Sequence, residues 1–284
     1  MTDATIDLVV QAPAIDATEL GAIAALAGAQ GIHVLASGSP QAFRLKRVQS
    51  NIGVAELCAR LAIDMAFVSP DLTLDRVRLV AMDMDSTLIT IECIDEIADL
   101  VGIKPEVAAI TASAMRGEID FSESLQRRVA LLSGLPLDAL ERVYAERLQL
   151  SPGAERMLAG FKRVGAKTLL VSGGFTFFTD RLCSRLDFDE AAANVLEIAD
   201  GKLTGRVVLP IVDAQTKAER FTMLCEPHAL DGGIAIAIGD GANDLPMLKA
   251  ADVSIAYRAK PLVRAQATYA IDHCGLDAIL NLFA

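Results

Sequence analysis

Three runs of mostly apolar residues in this chain each stop at a short polar segment, and this arrangement limits the folds available to it. Leu79–Met82 leads into Asp83-Met84-Asp85-Ser86-Thr87, and 167–170 lead into Val171-Ser172-Gly173-Gly174. Ile234–Ile238 leads into Gly239-Asp240-Gly241-Ala242-Asn243-Asp244. Apolar runs that alternate with helical segments are typical of a parallel sheet with helices on both faces. Because the carboxyl ends of such strands share one edge, the polar segments are expected to converge in one crevice.

Size and composition exclude several classes of protein. The chain has 284 residues, of which 52% are hydrophobic and 22% charged, as expected of a globular protein with more than one domain. Its net charge of −11 without a basic cluster argues against nucleic acid as a partner. No apolar stretch approaches the ~20 residues of a membrane span. Five scattered cysteines indicate reduced thiols and a cytoplasmic protein.

The chain divides into two parts. Residues 1–72 show the order β-α-β-β-α-β of a ferredoxin-like unit, and residues 73–284 form the α/β part with the parallel sheet. Residues 90–152 are helical in pattern, which predicts a helical cap inserted after the first strand of that sheet. Residues 195–208 contain Asp200-Gly201 between two strand-like segments, which predicts a hairpin.

The first polar segment supplies two carboxylates that suit phosphoryl transfer. Asp83 is the expected nucleophile, since a carboxylate attacking phosphorus gives an aspartyl phosphate. Asp85 is the expected general acid and base, which protonates the leaving alkoxide and then activates water. The same run of Asp, Ser and Thr would also suit the start of a helix, and only the later polar segments favour the catalytic interpretation.

The later segments supply a metal site and phosphate contacts. Mg²⁺ prefers a few carboxylate oxygens, which Asp83 and Asp240 would provide together with the backbone carbonyl of Asp85. Asp244 is expected to orient the ligands or the lysine. Ser172 and the glycine backbone after it suit phosphate oxygens near a helix N-terminus. Lys217, which precedes a helical stretch, would balance charge between the phosphate and the aspartates.

These motifs resemble the haloacid dehalogenase superfamily over residues 78–284. The resemblance extends to 92–98, 121–129 and 200–205. It implies a Rossmann-like core with a helical cap, dependence on Mg²⁺, and hydrolysis of O-phospho-L-serine to L-serine and phosphate, the last step of L-serine biosynthesis. It also implies an acid/base role for Asp85, because dehalogenases lack a carboxylate there.

The resemblance also assigns residues that contact the substrate. It implies that Glu92 reads the ammonium group and Arg128 the carboxylate, in agreement with the bidentate geometry of arginine. It further implies that the cap side of the pocket is shaped by Met115 and Phe121. The residues implied to contact the substrate or phosphate are Ser172, Gly173, Lys217 and Asn243. Arg127 is adjacent to Arg128 in sequence but faces another side of a helix.

Some alternatives stay open on sequence alone. The same chemistry would serve another small phosphomonoester, such as phosphothreonine or phosphohomoserine. A regulatory binding protein with a silent phosphatase part would not need both Asp83 and Asp85. Residues 1–72 are similar to an ACT-type domain, which binds an amino acid or pairs subunits as a homodimer; no ligand motif decides between these roles.

Overall fold

The N-terminal part is a four-stranded antiparallel sheet with two helices, as its pattern predicts. In this computed structural model, residues 6–38, 40–229 and 232–283 are described. The N-terminal elements are β1 Asp7–Ala12, α1 Ala17–Ala27, β2 Gly31–Ala36, β3 Gln41–Lys46, α2 Val54–Arg60 and β4 Asp64–Val68. The strand order is β2-β3-β1-β4. This βαββαβ arrangement confirms the ACT-like interpretation.

The second sheet has seven strands in the order β11-β10-β9-β5-β6-β7-β8. All neighbouring strands are parallel except β7 and β8, which form the predicted hairpin. The strands are β5 Val77–Met82, β6 Lys167–Phe175, β7 Glu190–Ala199, β8 Lys202–Val208, β9 Ile234–Gly239, β10 Val253–Tyr257 and β11 Tyr269–Ile271. Because β5 lies between β6 and β9, the ends of the three apolar runs are adjacent in space, as expected.

Helices cover both faces of this sheet. They are α7 Ala154–Arg163, α8 Thr176–Leu186, α9 Ala214–Ala229, α10 Leu245–Ala250 and α11 Pro261–Arg264. Alternate residues of β5 enter different cores: Leu79 and Ala81 pack with Phe221 of α9, while Val80 and Met82 pack with Phe161 of α7. The sheet is therefore buried on both faces, which explains why its strands have nearly continuous apolar sequences. No helix in the described ranges is long and apolar enough to cross a membrane.

The predicted cap is confirmed as four helices inserted between β5 and α7. They are α3 Cys93–Leu100, α4 Lys104–Met115, α5 Phe121–Ala130 and α6 Asp138–Glu146. The two segments that connect the cap to the α/β part lie side by side, because Ile89 and Leu150 form an antiparallel bridge. The cap also contacts the hairpin, where the Gly134 N–H donates to the Leu203 carbonyl at 2.8 Å.

The N-terminal sheet is joined to the C-terminal segment by buried polar side chains. Asp64 of β4 accepts hydrogen bonds from the backbone N–H groups of Asp272, His273 and Cys274 at 2.8–3.2 Å. The Arg44 Nη2 of β3 donates to the carbonyls of Asn281 and Leu282, both at 3.1 Å. A carboxylate and a guanidinium thus satisfy backbone groups that this interface would otherwise leave unpaired.

Candidate active site

Asp83 lies at the carboxyl end of β5 and is held on one side only. Its Oδ1 accepts a hydrogen bond from the Met84 N–H at 2.7 Å and forms an ion pair with Lys217 Nζ at 2.8 Å. Its backbone N–H continues the sheet to the Ile238 carbonyl of β9. Within the described residues, Oδ2 accepts no hydrogen bond, so one carboxylate oxygen is available to a ligand. Burial and the Asp244 carboxylate raise the pKa of Asp83 well above its usual value, and Lys217 opposes that rise.

Asp85 is presented by an irregular turn rather than by a helix. Its backbone is extended, and Ser86 after it has a φ of 57° in the left-handed region. The Asp85 Oδ1 accepts the Cys93 N–H at 3.1 Å, at the start of α3. Burial, together with the Glu92 carboxylate, raises the pKa of Asp85 to about 7. A carboxyl group with this pKa can both give and take a proton near neutral pH.

Lys217 joins two of the polar segments behind the cavity. It lies in the first turn of α9, which begins at Ala214, and not before the helix as the sequence pattern suggested. Its Nζ is 2.8 Å from Asp83 Oδ1 and 2.9 Å from Asp244 Oδ1, with 1% of the lysine exposed. Burial opposes the charged ammonium, but the carboxylates of Asp244 and Asp83 outweigh it and raise the pKa of Lys217.

Asp240 is the second carboxylate with a free oxygen. Its Oδ1 accepts a hydrogen bond from Thr87 Oγ1 at 3.1 Å, and within the described residues its Oδ2 accepts none. Burial, with the Asp244 and Glu92 carboxylates, raises the pKa of Asp240 to about 6. Asp244, by contrast, is engaged by Lys217 and by the Gly241 N–H. A Cβ at Gly239 would lie 2.5 Å from Asp244 Cγ, so this close approach requires glycine.

The acidic cluster has the chemistry of a metal site. One oxygen each from Asp83, Asp240 and Asp244 lie within 4.8 Å of one another. The three carboxylates are offset only in part by one buried ammonium, that of Lys217, and two of them keep a free oxygen. Hard divalent cations prefer such anionic oxygen ligands, so the donor set fits a metal ion that would add positive charge here.

Ser172, Gly173 and Gly174 form the wall next to Asp83. The segment lies within the last residues of β6 rather than after the strand, which corrects the predicted strand end. Pairing jumps from Val171–Ala192 to Phe175–Asn194, so the segment bulges out of the sheet. Asn194 holds the bulge: its Nδ2 donates to the Gly173 carbonyl at 2.9 Å and its Oδ1 accepts the Val212 N–H.

The Ser172 hydroxyl is oriented by this bulge. Its Oγ accepts the Gly174 N–H at 2.9 Å, which leaves the hydroxyl hydrogen available as a donor toward the cavity. A Cβ at Gly174 would lie 2.7 Å from Asp85 Oδ2, so the absence of a side chain lets this wall approach the Asp85 carboxyl group. A Cβ at Gly173 would lie 2.9 Å from the Phe121 ring, which comes from the cap. The bulge is therefore in contact with both sides of the site.

A cavity of about 580 Å³ lies between the sheet edge and the cap. Its floor contains the core residues Asp83, Asp85, Ser172, Gly173, Asp240 and Asn243. Its cap wall contains Glu92, Met115, Phe121 and Arg128, so the structure brings together the predicted site residues from both parts. Lys217 and Asp244 lie directly behind this floor.

The cap wall carries opposite charges. Burial lowers the pKa of Arg128, and the carboxylates of Asp95 and Glu92 oppose this shift. Burial raises the pKa of Glu92, which accepts a hydrogen bond from Ser86 Oγ at 2.7 Å. Arg127, by contrast, pairs with Glu123 on the exposed side of α5. Of these two arginines, α5 therefore directs only Arg128 into the cavity.

The residues at the site that sequence reasoning missed include four polar side chains: Thr87, Asp95, Asn194 and Lys260. Thr87 lies within the first polar segment and could have been found as a hydroxyl next to the aspartate pair. Asp95 lies one helical turn after Glu92, which is a spacing that places both on one face. Asn194 and Lys260 have no local pattern, since each acts on a segment distant in sequence.

Comparison with known proteins agrees with this geometry. Residues 77–252 match the family model of haloacid dehalogenase-like hydrolases, and residues 8–51 match that of a domain of unknown function, DUF4072. The chain is 52% identical over 232 residues to a phosphoserine phosphatase of Polaromonas sp., covering 80% of this chain and 98% of that relative.

Solved structures give the same result. A probable phosphoserine phosphatase from Vibrio cholerae superposes with a TM-score of 0.82 at 36% identity, covering 97% of this chain and 85% of that one. A phospho-aspartyl intermediate analogue of phosphoserine phosphatase superposes with a TM-score of 0.66 at 36% identity, covering 73% of this chain and 99% of that one. The first match includes the N-terminal sheet, and the second corresponds in length to the α/β part.

Proposed function

The chain belongs to the phosphoserine phosphatases of the haloacid dehalogenase-like hydrolases, and from this we propose that it hydrolyses O-phospho-L-serine to L-serine and phosphate. One observation carries the proposal: a single cavity contains three carboxylates at its floor and the opposite charges of Glu92 and Arg128 on its cap wall. The substrate has a phosphate at one end and an ammonium and a carboxylate at the other. The floor supplies a nucleophile and an acid for the phosphate end, and the cap wall supplies opposite charges for the ammonium and carboxylate.

In the proposed first step, a carboxylate oxygen of Asp83 attacks phosphorus, and the bond from phosphorus to the serine oxygen breaks. Asp85 gives its proton to that oxygen, so that L-serine leaves as a neutral alcohol at its side chain. In the second step, Asp85 takes a proton from water, whose oxygen attacks the aspartyl phosphate. Phosphate leaves and the Asp83 carboxylate is restored, so both steps balance without another reactant.

Four groups are proposed to hold the phosphate in line with Asp83. The Ser172 hydroxyl and the Gly173 backbone lie on one wall, and Asn243 lies on the other. Lys217 holds Asp83 at 2.8 Å and offsets part of the charge that accumulates when a dianion approaches a carboxylate. Such preorganised donors stabilise the transition state more than the ground state, because charge on the transferred group is redistributed there.

The metal of this site is proposed to be Mg²⁺, held by Asp83, Asp240 and the Asp85 carbonyl while Asp244 orients Lys217. When bound, Mg²⁺ would neutralise phosphate charge and act as a Lewis acid at a phosphate oxygen. Glu92 is proposed to bind the substrate ammonium and Arg128 its carboxylate. Met115 and Phe121 form the apolar border of that end of the cavity.

The direct test is phosphate release from O-phospho-L-serine with Mg²⁺ and with EDTA. We expect activity only with the metal, and none in Asp83→Asn. The adjacent arginines supply a matched pair: Arg128→Gln should raise KM for phosphoserine but not for phosphoethanolamine, which lacks the carboxylate. Arg127→Gln, which changes the same charge outside the cavity, should leave both unchanged. Equal activity on esters with and without a carboxylate would overturn the substrate assignment.

The N-terminal part is proposed to pair two copies of the chain. Its edge strand β2 is exposed along most of its length, including the apolar side chains of Ile32, Val34 and Leu35. An apolar strand edge with unpaired backbone groups favours pairing with another strand. Antiparallel pairing of β2 with its copy would bury these residues, and Val34→Lys should convert the dimer to a monomer in sedimentation experiments. A dimer that resists this substitution would contradict the proposed edge.

A further inference from the structure

Positive charge is scarce on the cavity wall. Five carboxylates line the cavity, whereas its cations, among the residues that the structure describes, are Arg128 and Lys260. Lys217 lies behind the floor and is already shared between two carboxylates. Arg128 comes from the cap and faces the amino-acid end of the proposed substrate. The remaining cation on the described part of the wall is Lys260, which has no role in the proposed mechanism.

The backbone of Lys260 is fixed beside the loop that contains Asp240. It lies between β10 and α11, at the carboxyl end of a strand next to β9. Its N–H donates to the Asp240 carbonyl at 3.2 Å, and its own carbonyl accepts the N–H groups of Val263 and Arg264. Pro261 restricts the preceding residue to an extended backbone, which is the conformation observed. The side chain is therefore carried into the cavity from a rigid base.

The ammonium group of Lys260 is not committed to another residue. Within the described ranges it forms no ion pair, although its positive charge opposes the rise in pKa that burial causes at both Asp240 and Glu92. These two residues lie on the core and cap sides of the cavity. Lys260 is thus a free cation located where the floor meets the cap, on the side of Asp240.

We propose that Lys260 is a substrate-binding residue that acts from the core wall on the phosphate, as Arg128 acts from the cap on the carboxylate. The role rests on the proposed phosphatase function. Asp83 and Asp240 repel a phosphate dianion as it enters, and Lys217 is already occupied by two of the carboxylates in the cluster. A flexible ammonium above Asp240 would offset this repulsion and guide a phosphate oxygen toward the floor.

The test uses inorganic phosphate as the probe and titration calorimetry of the Mg²⁺-loaded full chain as the readout. Lys260→Gln should raise the Kd for phosphate about tenfold, in the range for a hydrogen bond to a charged group. Lys260→Arg should restore most of the affinity, because it keeps the charge. Arg128→Gln should leave the phosphate Kd near that of the wild type. Lys249→Gln, an exposed lysine on α10, controls for net charge.

Kinetics separate this inference from the proposed function. Lys260→Gln should lower kcat/KM about equally for phosphoserine and phosphoethanolamine, since both carry the phosphate. An unchanged phosphate Kd in Lys260→Gln, or a loss confined to phosphoserine, would overturn the inference. If the wild type bound phosphate through Lys260 but did not hydrolyse phosphoserine, the substrate assignment would fail and the role of Lys260 in phosphate binding would stand.

Discussion

Replacing Lys217 by methionine tests how the site balances its buried charge. Methionine keeps most of the length of the side chain and its apolar packing but removes the ammonium. Lys217 is 1% exposed and lies within 2.9 Å of both Asp83 and Asp244, which are 5% and 0% exposed. The substitution therefore leaves two buried carboxylates without their shared partner. This cost differs from that of removing a surface ion pair, which is at most about 1 kcal/mol.

Removing one partner of a buried ion pair typically lowers the free energy of unfolding by about 3–5 kcal/mol. We expect a loss in this range for Lys217→Met at pH 8 without metal. The pKa of Asp83 determines whether this loss of stability grows or shrinks as pH rises. Burial already raises its pKa in the folded state, and loss of Lys217 raises it further. The stability of such a group is present below its unfolded pKa and is lost as pH rises through the folded pKa.

The deficit of Lys217→Met should therefore be smaller at pH 5 than at pH 8. Urea titrations of wild type and variant at both values measure it, and Lys249→Met on the exposed side of α10 is the control. Saturating Mg²⁺ should recover part of the loss, because the ion supplies positive charge to the same carboxylates. A deficit below about 1 kcal/mol, or one equal at the two pH values, would show that Lys217 does not offset the charge of the buried carboxylates.

Three further predictions concern Gly174, Asp85 and Asp64. Gly174→Ala should lower kcat about a hundredfold, since its Cβ would lie 2.7 Å from Asp85 Oδ2, while Gly21→Ala, whose Cβ meets nothing within 4 Å, should keep full activity. Single-turnover release of serine should slow as pH rises through about 7, because Asp85 must be protonated to act as the acid; a flat profile would contradict this role. Asp64→Asn should lower the free energy of unfolding in urea by about 1–3 kcal/mol, because it removes one acceptor oxygen for the N–H groups of 272–274; coincident unfolding curves would contradict it.

The floor of the site could be predicted because its information is local. Each polar segment directly adjoins an apolar strand, and the rule that parallel strands share a carboxyl edge brings the segments together. The order of the N-terminal elements and the helical cap were also visible as changes in hydrophobic period. Lys217 was harder, because a lysine in the first turn of a helix is ordinary; its charge-balancing role depended on the other polar segments around it in the sequence.

The remaining parts depend on contacts between distant segments. The choice of Arg128 over Arg127 rested on the family resemblance, because the sequence period alone does not give the direction of α5 relative to the cavity. Asn194 acts on the Gly173 carbonyl 21 residues away. It was invisible in sequence, because a single asparagine in a strand has no pattern. Asp64 is likewise defined only by its partners 208–210 residues later.

A common physical cause connects the cap, the proposed metal and Lys260. The proposed phosphoryl transfer requires Asp83, Asp85 and Asp240 near one another, and burial together with neighbouring carboxylates, among them Asp244 and Glu92, raises the pKa of each. The folded chain offsets only part of this charge with Lys217, so the site keeps a cost that bound cations can relieve. A site neutralised fully by fixed cations would hold its carboxylates in permanent ion pairs, with no oxygen left to attack. The free oxygens of Asp83 and Asp240 and the uncommitted ammonium of Lys260 are therefore consistent features of one design, in which charge balance is completed by the ligands.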